Sequence, residues 1–142
     1  MKFSIKLIAA TILTSMTTVA MATENTALSN LGLSFSGSAA ITSDYRFRGI
    51  TQTQNDPAIQ AGFTLAHTSG LYFGLWGSNV DFGEDSPSLE LDPSLGFATN
   101  LGSLPGKPLL DVGVVYYNYP SDSDLNWVEL YGKLGFKDAI IS

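Results

Sequence analysis

The feature that most restricts this chain is a two-residue alternation of apolar and polar side chains that recurs in segment after segment. In the first, Ile41, Ser43, Tyr45 and Phe47 share one parity, and Thr42, Asp44, Arg46 and Arg48 the other. A strand sends successive side chains to opposite faces, so the charges point one way and the rings the other. After Gly49 the run Thr51-Gln52-Thr53-Gln54-Asn55-Asp56-Pro57 offers nothing apolar to bury and ends on a residue that cannot donate to a ladder. That is a loop. Alternation resumes with Ile59, Ala61, Phe63 and Leu65, and the two segments read as an antiparallel hairpin.

Extended along the chain, the pattern predicts six strands, over about 33–48, 58–67, 71–80, 89–99, 109–119 and 126–136. No stretch after Ala22 carries a 3.6-residue period, so no long helix is expected. The charged residues inside these spans, Asp44, Arg46, Arg48, Glu90, Asp92, Asp111, Glu129 and Lys133, all fall on one parity. The other parity, including Phe35, Ile41, Phe63, Phe73, Leu95, Val114 and Leu130, carries no charge. A one-residue slip would exchange the faces, which fixes the register. A tight turn at Thr68-Ser69-Gly70 contrasts with longer loops over 49–57, 81–88 and 120–125. That contrast places Phe35, Phe73, Phe97 and Phe136 at one rim and Tyr45, Phe47 and Tyr116 at the other. Aromatic bands at two rims, on strands of about ten residues, are what a strand wall in a bilayer would show.

Ahead of the strands, Lys2 and Lys6 precede an apolar run from Leu7 to Val19 and an Ala20-Met21-Ala22 cleavage pattern, the three parts of a secretory signal. The run is shorter than the roughly 20 residues a spanning helix needs. The expected layout is a signal peptide over 1–22, a short polar lead over 23–32, and strands over 33–142. The formal charge is −6, and loss of Lys2 and Lys6 would make the remainder more acidic, which argues against a nucleic-acid partner. Without cysteine there is no disulfide framework, thiolate metal site or thiol nucleophile.

The stretches SDYRFRGITQTQNDPAIQAGF (43–63), SGLYFGLWGSNVDFG (69–83) and ELDPSLGF (90–97) resemble the TorF-type porin family of Gram-negative outer-membrane β-barrels. The resemblance runs from about Gly37 to about Phe136. It implies an all-β, antiparallel transmembrane β-barrel in the outer membrane, surrounded by lipid and passing ions or small polar solutes by passive diffusion. It names no solute. Six strands are fewer than the roughly eight of the smallest single-chain barrels, so an incomplete fragment is expected, with closure by several copies as the other option. The alternatives are a soluble secreted or periplasmic β-sandwich or lipid-binding protein using the apolar parity as its core, and a non-conducting structural outer-membrane barrel.

Within that expectation, Asp44, Arg46, Arg48, Glu90, Asp92, Asp111, Glu129 and Lys133 are the candidate lumen-lining residues. They would either set a field at a pore mouth or satisfy one another inside a narrow barrel. Tyr72, Trp76, Tyr117, Trp127 and Tyr131, on the same parity, would fill an interior. The loop acids Asp81, Glu84, Asp85, Asp122 and Asp124 match no EF-hand spacing, and His67 stands alone. There is no G-x-S-x-G elbow, and 102–107 falls one residue short of a P-loop. The residues therefore point to no catalytic site, cofactor or metal.

Overall fold

A computed structural model describes the backbone of residues 17–23, 26–136 and 139–141, and the side chains of residues 26–136. The signal-peptide reading of residues 1–16 lies outside the described residues. The elements are β1 (Thr17–Thr23), α1 (Thr26–Asn30), β2 (Leu33–Thr42), β3 (Arg46–Phe47), β4 (Ile50–Thr51), β5 (Ala58–His67), β6 (Leu71–Asn79), β7 (Leu89–Asn100), β8 (Leu109–Tyr117), a 3-10 turn at Ser123–Leu125, β9 (Trp127–Phe136) and β10 (Ala139–Ile141).

The long strands form one eight-stranded antiparallel sheet in the order β1-β2-β5-β6-β7-β8-β9-β10, with β3 and β4 a separate small ribbon. Each strand pairs with its sequence neighbour in the sheet, the connectivity that short hairpin turns enforce. The expected strands correspond to β2, β5, β6, β7, β8 and β9. The expected closure does not occur. Among the described residues no ladder joins β1 to β10, so the sheet is open and the barrel reading is corrected to an antiparallel sheet with two free edges.

The first strand stops earlier than expected, at Thr42. Beyond it, Arg48 (φ +50°) and Gly49 (φ +87°) form a two-residue turn between Phe47 and Ile50, both in the left-handed region that a primed hairpin turn demands. Residues 43–57 then fold back over the sheet. Thr53, 1% exposed, anchors the loop by accepting from the Tyr45 amide and donating to the Asp56 carbonyl. The Asp81 amide donates to the Gln52 carbonyl, tying this loop to the next one.

Burial separates the two faces. Tyr72, Ser78, Glu90, Asp92 and Ala98, all on the parity that carries the charges, are buried, whereas Ile59, Leu95 and Leu130 on the apolar parity are exposed by 68%, 55% and 81%. In a single layer a face is buried only when the sheet curls toward it or a loop covers it, and both happen here. Tyr72 and Tyr131 sit three strands apart in the register Tyr72–Gly96–Gly113–Tyr131, yet their hydroxyls touch. A side chain at Gly96 or Gly113 would run into those two rings. The polar face is thus the inner one. The apolar face is the outer one, with Phe35, Phe63 and Phe73 packed ring to ring along it.

Candidate functional site

Glu90 and Asp92 stand two apart on β7 and so share the inner face. They are 1% and 6% exposed. Glu90 lies opposite Ser78 and Asp92 opposite Trp76 on β6. On the other side the β7–β8 ladder is interrupted at Pro93, which has no amide to give. It resumes only at a single bridge between Leu91 and Asn118. The Asn118 amide donates to Asp92 instead. Glu90 receives a long 3.5 Å bond from the Tyr45 hydroxyl and another from Tyr119.

Among the described residues every other donor to this pair is neutral, the two carboxyl side chains share a hydrogen bond, and Glu90 Oε2 and Asp92 Oδ1 have no further partner. Burial raises both carboxyls above their ordinary range. Asp92 is pushed up to about 8, by burial first and the neighbouring Glu90 charge second. The same burial raises the Tyr45 and Tyr119 phenols, which stay protonated donors.

At the other end of the inner face, the Tyr72 hydroxyl donates to Asp111 Oδ1 at 2.6 Å and meets the Tyr131 hydroxyl. Lys133 lies directly opposite Asp111 in the ladder, its ammonium 5.1 Å from the Tyr131 ring. At the loop rim, Tyr117 and Trp127 stack at 4.2 Å, Phe47 packs edge-on against both, and Arg48 lies over Phe47 and Trp127 while bonding Glu129 at 2.6 Å.

The eight sequence candidates thus divide into separate groups. Glu90 and Asp92 are brought together, as are Asp111 with Lys133, and Arg48 with Glu129. Asp44 and Arg46 pair with each other at 2.6 Å within the loop, where the Thr51 hydroxyl donates to Asp44 and the Thr53 hydroxyl lies 3.1 Å from it, contacts that hold its carboxyl below the usual range. The sheet of the described residues is open and encloses no lumen. Two rings expected at an outer rim, Tyr45 and Phe47, instead turn inward onto Trp76, Tyr117 and Trp127.

Three of the other polar groups hold loops and turns. Asp81 accepts from Gln54, Gly83 and Ser86, Asp122 caps the 3-10 turn, and His67 Nδ1 accepts from the Ser69 amide in the β5–β6 turn. Among the described residues no group of three or more His, Cys, Asp or Glu is placed to hold a metal ion.

Sequence reasoning missed a groove on the outer face. Ala61 and Gly77 face each other across β5 and β6, and their small side chains leave a trough bordered by Ile59, Phe63, Leu75, Leu89 and Leu91, with a volume of about 440 Å³. The signal was available in the run of small outward residues Ala39, Ala61 and Gly77, which continue one another through the ladders.

A family model described as "Bacterial protein of unknown function (Gcw_chp)" matches residues 25–139. No curated protein and no solved structure matches. The match replaces the porin resemblance, and the open sheet removes what that resemblance implied. A channel needs an enclosed lumen. A bilayer-spanning strand wall must close, because unpaired edge amides and carbonyls are not tolerated in hydrocarbon. The transmembrane strands, the outer-membrane location, and the lipid, solute and channel-oligomer partners are corrected with it.

Proposed function

We propose, from the premise that this chain belongs to the Gcw_chp family of bacterial proteins of unknown function, that it is a non-catalytic binding protein for a detached amphiphile, whose acyl chain lies in the Ala61–Gly77 groove. The observation that carries this reading is the inverted distribution of side chains: acids inside, and an apolar surface outside that no second protein layer covers among the described residues. Contiguous apolar surface of this kind marks an interaction site far more often than a tolerated exposure. The groove falls within the usual size of small-ligand sites, roughly 300 to 1,000 Å³. An extended chain laid in it gains about 0.8 kcal/mol for each methylene removed from water.

The test is titration of the purified full chain with a fluorescent fatty-acid analogue below its micellar concentration. Saturable binding is expected, weakened at least tenfold in Ala61→Leu, whose side chain occupies the trough; the estimate is about 1.4 kcal/mol or more of lost contact. The substitution replaces one outward apolar residue by another, so the ladders are left in place. Affinity unchanged in that variant, with sheet content preserved, would sink the reading.

A further inference from the structure

The inner face carries a second feature, independent of the groove. Glu90 and Asp92 bring two carboxyl groups side by side at 1% and 6% exposure, and each keeps one oxygen, Oε2 and Oδ1, without a partner. Among the described residues no cationic side chain bonds to either. Arg46 is engaged by Asp44 and Asn55, Arg48 by Glu129, and Lys133 stands opposite Asp111. Removing two like charges from water without a counter-charge costs several kcal/mol per ion. Beside them lies Ser78, 2% exposed, whose hydroxyl spends its single proton on the Asn79 carbonyl and so presents only lone pairs to its surroundings. The set is all hard oxygen, with no nitrogen or sulfur ligand.

We infer that Glu90 and Asp92, with the Ser78 hydroxyl beside them, form a binding site for a hard divalent cation of the calcium class. Such ions take six to eight oxygen ligands, including carboxylates and neutral oxygens, and accept irregular geometry. A 2+ ion cancels the charge of both carboxylates and uses the two orphaned oxygens. The ladder fixes the donors: Ser78 is directly across from Glu90, and Trp76 directly across from Asp92. The spacing along the sequence, two acids at i and i+2 and a serine twelve residues earlier, resembles no calcium loop.

Terbium(III) reports on this directly, because Trp76 is the paired neighbour of Asp92 and can sensitise its emission. The full chain, stripped with a chelator, is titrated with terbium and then competed with calcium. Sensitised emission is expected, displaced by calcium, and weakened about tenfold or more in the neutral near-isostere Glu90→Gln/Asp92→Asn, since affinity in such sites follows the ligand charge count. Asp81→Asn, in the outer loop, leaves it unchanged. Trp76→Phe loses the tryptophan-excited part of the emission, keeps the part sensitised by Tyr45 and Tyr119 beside Glu90, and keeps the calcium-induced rise in melting temperature that binding to the folded state produces. Absence of sensitised emission in the wild type overturns the inference. So does emission that persists undiminished in the Glu90→Gln/Asp92→Asn variant, which would leave the pair neutralised by a proton alone.

Discussion

The two ends of the inner face solve the same problem differently. Both place acids beneath tyrosine hydroxyls. At the turn end Asp111 has Lys133 across the ladder and a 2.6 Å bond from Tyr72. At the loop end Glu90 and Asp92 have each other, neutral donors, and two unpartnered oxygens. The turn end gives its acid a short bond from Tyr72 and a lysine as ladder neighbour. The loop end leaves its charge to be answered by something that comes from solvent, a proton or an ion. A curled sheet can afford such an end only under a cover, and the 43–57 loop supplies it.

The largest effect expected from this contrast is on pH dependence. In chelating buffer the folded chain keeps a proton on the Asp92 pair up to about pH 8, whereas the unfolded chain has released it by about pH 4 to 5. The folded state therefore binds more protons across that window, so stability is highest at its acid end and falls as pH rises. The slope approaches about 1.4 kcal/mol per pH unit while one proton separates the two states. Urea denaturation at pH 5, 6, 7 and 8 measures it, and Asp92→Asn flattens the slope. A wild-type curve that rises over this range would refute the difference between the two ends.

Next in size is the arch at the turn end. Gly96→Ala places a methyl against the Tyr72 ring and costs about 1 to 3 kcal/mol, typical of overpacking a filled site. Smaller again is Tyr72→Phe, which removes the bond to Asp111 and the contact with Tyr131 for a loss of about 1 to 2 kcal/mol by chemical denaturation. Least is Arg48→Ala at the exposed rim. The Arg48–Glu129 pair is an exposed one, worth no more than about 1 kcal/mol and further reduced by salt.

Alternation alone located the long strands, the turns and the segregation of charge, because a two-residue period is written directly in residue types. It does not say which face turns inward. That choice rests on Gly96 and Gly113, whose missing side chains let Tyr72 and Tyr131 meet, and on a loop that closes over the charged side. The alternation also persisted through Tyr45 and Phe47 after the strand had ended. Residue types carry the parity past Thr42 while the backbone leaves the sheet, so parity alone puts both rings on the wrong side. The clue was present in Arg48-Gly49, a turn pair, and in Asp44 with Thr51 and Thr53, which needed a compact loop to satisfy one another. The Glu90–Asp92 pair was legible as two acids on one face. Its lack of a counter-charge depends on where Arg46 and Arg48 go, and those contacts are made within the loop and across to β9.

The first strand of the sheet decides which edges the described sheet leaves open. Ala20, Met21 and Ala22 are backbone-paired with Ser38, Gly37 and Ser36. That flank of β2 is thereby taken by the chain's own residues, and a partner strand that adds to this sheet must do so beyond β1 or beyond β10.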